Sequence, residues 1–141
     1  MDFNTIYKVE FDPEIRLVLC DCPVKAGFPS PAEDFDIADM SLNEILIKHP
    51  NATYLMKVKG DSMFPELQNG DIVIVDRSIE PKSNMMVVAS IDNEFTVKRI
   101  IIHKDEVHLC PNNPLYKPII VKKGHDLLVW GVVTGVIRRF A

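Results

Sequence analysis

Between residues 53 and 138 the chain is written as short apolar runs repeatedly cut by Gly, Asn, Asp and Pro. This rhythm constrains the fold more than any other feature. Strands are expected at 53–59, 71–76, 86–92, 95–102, 106–110, 118–121 and 127–138. Short strands at close spacing with turn residues between them predict a mainly β fold of twisted antiparallel sheets or a partly closed barrel. One short helix is expected ahead of them. Ser41 and Glu44 have capping-box spacing, Leu42, Ile45 and Leu46 fall on one face, and Pro50 follows the end at His49, which gives about two turns.

The first forty residues break this rhythm. Pro13, Pro23, Gly27, Pro29 and Pro31 punctuate them, and a short apolar piece at 15–20 is suited to adding a strand to a sheet edge. Phe28-Pro29-Ser30-Pro31 must run extended, because each proline restricts the residue before it. An extended, exposed peptide is what a protease cuts. With 141 residues, 47% of them hydrophobic, the chain can bury one proper core, so the expected organisation is an N-terminal arm, 1–40, and a body, 41–141.

Charge separates the same two parts. Residues 1–40 hold nine acidic and three basic side chains, and residues 41–141 hold eleven and thirteen. An acidic arm beside a mildly basic body fits this division, as does a solvated arm with no partner. The formal net charge of −4 argues against direct, sequence-specific DNA binding, which draws its affinity from Lys and Arg on phosphates. Cys20, Cys22 and Cys110 are odd in number, and their spacing suits neither a disulfide framework nor a metal pair. A reducing, cytoplasmic setting is expected. The apolar run 127–137 is about half a membrane span and carries Thr134, so no membrane association is expected.

Gly60-Asp61-Ser62-Met63-Phe64-Pro65 sets one serine in a turn between two strand-like runs. A serine is a poor nucleophile until a base takes its proton, and most serines in turns are turn residues only. None of His49, His103, His108 and His125 sits in a recognisable triad context, and His49 is explained by the helix end it occupies. A lysine can serve as base if burial keeps its amine uncharged. Along the strand Phe95-Thr96-Val97-Lys98-Arg99, Lys98 shares a face with Thr96, whose hydroxyl could hold the amine. Taken alone, Lys98 reads sooner as an exposed strand lysine beside an exposed arginine. The tight turn is suited to aiming the Ser62 and Met63 N–H groups at a carbonyl oxygen, or to making a plain hairpin connection.

Three blocks taken together resolve these alternatives. Val58-Lys59-Gly60-Asp61-Ser62-Met63, Asn69-Gly70-Asp71-Ile72-Val73-Ile74-Val75-Asp76 and Phe95-Thr96-Val97-Lys98-Arg99 resemble, in that order, the S24-type Ser-Lys self-cleaving family that contains the LexA repressor and UmuD. The resemblance covers about residues 24–141, includes Trp130-Gly131-Val132-Val133, and reaches Ala26-Gly27, which matches the small-residue-glycine scission dipeptide of UmuD-like members. It implies a fold like the LexA C-terminal domain, with Ser62 as nucleophile, Lys98 as general base, Ser62 and Met63 N–H as oxyanion hole, Thr96 orienting the lysine, and Ala26-Gly27 as the bond cut. It further implies no metal or cofactor, a homodimer, and a RecA filament on single-stranded DNA as trigger. A Y-family, UmuC-like translesion polymerase subunit and replicative polymerase components are the implied partners in the SOS response.

Two departures stand out. Asn84-Met85 replaces the family's usual Gly-Asp; Asn tolerates a left-handed turn, but Met85 is an extra apolar side chain to place. Phe64-Pro65-Glu66-Leu67 makes the turn after the serine more like that of LexA or of signal peptidases than the glycine-rich loop of some UmuD proteins. The 26 residues ahead of the scission point, with Pro13 and Pro23, do not supply the helix-turn-helix of a repressor. A signal-peptidase-like enzyme acting on other proteins and a non-cleaving binding module of the same fold are the alternatives.

Overall fold

The computed structural model describes residues 7–8, 17–20, 37–122 and 126–141 of the chain. Its elements are β1 (Tyr7–Lys8), β2 (Leu17–Cys20), β3 (Ile37–Met40), α1 (Leu42–Leu46), a 3-10 turn (Pro50–Ala52), β4 (Thr53–Lys57), β5 (Ile72–Asp76), β6 (Met86–Ile91), β7 (Glu94–Ile102), β8 (Glu106–Cys110), β9 (Ile119–Lys122) and β10 (Leu127–Ile137). The chain divides into two compact units, Glu10–Lys48 and the combination of Met1–Val9 with His49–Ala141.

In the smaller unit β2 and β3 pair antiparallel, from Leu17 opposite Met40 to Cys20 opposite Ile37. The apolar piece at 15–20 therefore forms its strand in a two-stranded sheet of its own, while β1 is the arm strand that joins the larger sheet. Ser41 caps α1 as expected, its Oγ accepting from the Asn43 N–H at 3.2 Å. The helix is shorter than expected, five residues instead of about two turns, because the backbone turns extended at Ile47 (φ −124, ψ 110) and Pro50 opens a separate 3-10 turn. So short a helix has little intrinsic stability.

The larger unit is an open, wholly antiparallel sheet in the order β1-β4-β5-β10-β6-β7-β8-β9, fitting the mainly β, LexA C-terminal-domain-like expectation. Among the described residues its end strands β1 and β9 do not pair. The most C-terminal strand sits at its centre: β10 pairs with β5 on one side and β6 on the other. Register shifts at Val129/Gly131 and Val133/Gly135 bend it. At Gly131 a Cβ would stand 2.6 Å from Val75 Cγ1, so only glycine fits the crossing.

Apolar side chains fill both faces. Val73, Val75, Met86 and Val88 belong to one buried cluster, and Val87, Ala89, Ile100, Leu109, Val121 and Val132 to the other. Alternation along β6 sends Met86 and Val88 one way and Val87 and Ala89 the other, the pattern of a strand covered on both sides. The β6–β7 hairpin turns at Asp92 and Asn93, both at positive φ (50° and 67°), as a two-residue hairpin loop demands. Asn84 adopts φ 75°, as its tolerance for a left-handed turn predicts, and Met85 packs against the second cluster.

Candidate active site

The turn that carries Ser62 is held from below by its own apolar residues. Met63 and Leu67 are each 2% exposed and belong to the first cluster, and the Leu67 N–H donates to the Met63 carbonyl at 3.0 Å. Gly60 starts the turn at φ 92°, a value glycine takes without strain, and its N–H donates to Asn69 Oδ1. The peptide bond between Phe64 and Pro65 is cis. At the foot of the loop, Asp71 is buried at 2% exposure; its carboxylate accepts from the Gln68 N–H and from Arg138 Nε and Nη2. The Arg138 guanidinium holds the Asp71 carboxyl below its ordinary pKa. Glu66, on the turn, pairs with Arg99 at 2.6 Å.

Ser62 and Lys98 meet here across 36 residues of sequence. Lys98 Nζ lies 2.8 Å from Ser62 Oγ, 2.7 Å from Thr96 Oγ1 and 3.0 Å from the Val97 carbonyl. Lys98 is 7% exposed, and burial pushes its pKa below the ordinary 10.5. Its three polar contacts are two hydroxyls and a carbonyl, and none of them offsets the desolvation of an ammonium as a carboxylate would. Uncharged, the amine donates its two protons to Thr96 Oγ1 and Val97 O and turns its lone pair to the Ser62 hydroxyl. Such an amine is equipped to take the hydroxyl proton.

The pair opens into a cleft of about 530 Å³ lined by residues 56–60 and 94–98 with Ser62, Met63, Val73 and Val88. Among the described residues the 94–98 wall is a strand without a neighbour on its outer side. β8 joins β7 only from Arg99 onward. Among the described residues no histidine lines the cleft. Instead of merely ending a helix, His49 bonds Asp76 Oδ2 through Nδ1 at 2.6 Å, and His108 bonds Glu106 with its ring tilted against that of His103. His125 lies outside the described residues, as do Ala26 and Gly27.

Sequence reasoning missed Asn113. It lies in the Pro111-Asn112-Asn113-Pro114 loop after β8, is 7% exposed, and its N–H donates to the Ser62 carbonyl at 3.0 Å while Nδ2 donates to the Asp61 carbonyl at 3.0 Å. Tyr116 adds a phenol bond to Asp61 Oδ1 at 2.5 Å, and that carboxylate raises the Tyr116 pKa. The available signal was two asparagines between prolines, which reads as a turn.

A serine hydroxyl 2.8 Å from a buried lysine amine with no carboxylate partner, on a cleft, is an arrangement chemically able to make the hydroxyl a nucleophile. The Peptidase S24-like family profile matches residues 18–134. Protein MucA of Salmonella typhimurium is 40% identical over 115 residues, spanning 79% of this chain and 77% of its own. Protein ImpA of Shigella flexneri is 34% identical over 143 residues, spanning 96% of each chain. LexA repressor 2 of Xanthomonas axonopodis pv. citri is 40% identical over 116 residues, which are 82% of this chain and 54% of the repressor. The chain belongs to the S24 peptidase family, as a UmuD-like member.

Proposed function

We propose that the protein is a self-cleaving serine endopeptidase that cuts its own arm, 1–40, at Ala26-Gly27, with 41–141 as the peptidase domain. The observation that carries this reading is the 2.8 Å approach of Lys98 Nζ to Ser62 Oγ with the lysine pKa lowered by burial. Uncharged Lys98 takes the Ser62 proton as Oγ attacks the Ala26 carbonyl carbon. The oxygen, now negative, is held by the Ser62 and Met63 N–H groups, for which no acceptor is found among the described residues. The Lys98 ammonium then returns its proton to the Gly27 nitrogen as the C–N bond breaks. Water, deprotonated by the same lysine, attacks the acyl-enzyme and releases the Ala26 carboxylate and the Ser62 hydroxyl. Thr96 orients the amine.

The strand edge at 94–98 is suited to receiving an extended segment by main-chain pairing. Gly27 lets the backbone approach without a side-chain clash. Because the substrate is part of the same molecule, its effective concentration is high, and control lies in how often the arm fills the cleft with Lys98 uncharged. On the family likeness, the protein is a cytoplasmic homodimer. A RecA filament on single-stranded DNA favours its reactive state, and the cleaved form serves a Y-family, UmuC-like polymerase together with replicative polymerase components in SOS mutagenesis.

Purified protein incubated at rising pH tests the chemistry. The expected result is loss of residues 1–26, fixed by mass spectrometry, at a rate independent of protein concentration. Absence of cleavage at alkaline pH, or cleavage that persists in Ser62→Ala, would sink the role given to Ser62.

A further inference from the structure

A peptide unit is planar and trans, so its C=O and N–H point in opposite directions, and whatever holds the oxygen also aims the hydrogen. The two N–H groups assigned to the oxyanion hole belong to the units Asp61-Ser62 and Ser62-Met63. The carbonyl oxygens of those same two units are the ones Asn113 holds: Nδ2 donates to Asp61 O, and the backbone N–H donates to Ser62 O. The side-chain amide has one consistent orientation. Its Oδ1 accepts from the Leu115 N–H at 3.0 Å, a group that can only donate, which leaves Nδ2 for the Asp61 carbonyl, which can only accept.

Every polar atom of Asn113 is engaged, since its carbonyl accepts from the Tyr116 N–H at 3.1 Å. The residue is thus a buried bracket whose own geometry is fixed by its loop. Tyr116 holds the same turn from the Asp61 side chain. Asn113 stands on a different element from the nucleophile and the base, so it fixes the donors without taking part in proton transfer.

We propose that Asn113, assisted by Tyr116, is a positioning residue that aims the Ser62 and Met63 N–H groups at the oxygen of the tetrahedral intermediate by pinning the carbonyls on the other side of the same two peptide units. This rests on the self-cleavage reading and adds a role to it. Removing an oxyanion donor outright slows serine peptidases by about 10²–10³-fold, and a mis-aimed donor slows them less.

The experiment compares the parent, Ser62→Ala, Asn113→Ser and Tyr116→Phe across a pH series. Asn113→Ser keeps an oxygen that can accept from the Leu115 N–H, adds no charge, and no longer reaches the Asp61 carbonyl. Its plateau rate is expected to fall by about 10–100-fold, with the midpoint of the pH–rate curve unmoved. The amide resonances of Ser62 and Met63 should shift, whereas the Lys98 titration followed by NMR should not. A variant that loses rate only through partial unfolding moves resonances throughout the sheet. Should Asn113→Ser not fold, Tyr116→Phe, with its half-exposed ring, carries the test, with an expected loss of about two- to ten-fold for one hydrogen bond. Parent-like rates, or a loss accompanied by a shifted midpoint, overturn the proposal. A parent that cleaves through Ser62 beside an Asn113→Ser that cleaves equally well rejects this inference alone. A parent that does not cleave rejects the self-cleavage reading and this inference with it.

Discussion

Thr96→Val removes one hydroxyl from the surroundings of Lys98 while keeping the shape of the side chain. Thr96 Oγ1 gives the shortest of the three contacts to Nζ, at 2.7 Å, and Lys98 is 7% exposed, so water is poorly placed to replace it. Leaving a buried donor without a partner costs about 1–3 kcal/mol. If that cost falls on the geometry in which the lone pair faces Ser62, the plateau rate drops by about 5–150-fold, at ~1.4 kcal/mol per factor of ten. The midpoint moves as well, and its direction is fixed by counting protons. The ammonium donates three hydrogen bonds here and the neutral amine two, so losing an acceptor penalises the charged form more and lowers the Lys98 pKa further. The assay is the rate of arm cleavage from neutral to strongly alkaline pH, with circular dichroism confirming the fold at each point. Expected are a lower plateau and a midpoint displaced to lower pH, with Thr96→Ser restoring both. An unchanged plateau, or a midpoint displaced to higher pH, would refute the assignment of Thr96 as the group that orients the lysine.

Other consequences are structural. Leu67→Ala, emptying a site 2% exposed under the nucleophile turn, should cost about 2–5 kcal/mol in urea unfolding, and a loss below 1 kcal/mol would mean that the turn is not anchored there. Arg138→Met leaves Asp71 without its cation and should lower the midpoint of urea unfolding. The Asp71 contribution is present above the ordinary carboxylate pKa and fades as pH falls through its lowered folded value, so the two proteins should converge in acid; a gap that persists there contradicts the pairing. Lys98 obeys the same proton count. Its folded pKa lies below 10.5, so between the two values the unfolded chain binds more protons, and stability rises with pH up to about 10.5. Unfolding of Ser62→Ala compared with Ser62→Ala/Lys98→Met isolates that rise, and a flat or falling difference would show that Lys98 is not buried in the folded protein.

The parts of the fold that local chemistry dictates were legible in the sequence. Strand positions from 53 onward follow from apolar runs and turn residues, and the left-handed Asn84 follows from what an asparagine tolerates. What pairs with what was not legible, because strand order is set by contacts far apart in sequence. Nothing local places β10 between β5 and β6, or Arg138 on Asp71, and the apolar piece at 15–20 gave no sign that Ile37–Met40 would be its partner. At the site, strand alternation put Lys98 and Thr96 on one face, but alternation gives the face and not the depth. Burial of Lys98 had to be inferred from likeness to a family. Asn113 was invisible because its role is to hold backbone, and backbone carbonyls leave no mark in a sequence.

The direct test of the account is to measure the Lys98 pKa by NMR in Ser62→Ala and compare it with the midpoint of the cleavage pH–rate curve of the parent. The account predicts that both lie below 10.5, that the pKa in Ser62→Ala, where one acceptor of the ammonium is gone, is no higher than the parent's midpoint, and that Lys98→Ala does not cleave. A lysine that titrates at its ordinary value, or a Lys98→Ala protein that still cuts its arm at the parent's rate, would contradict it.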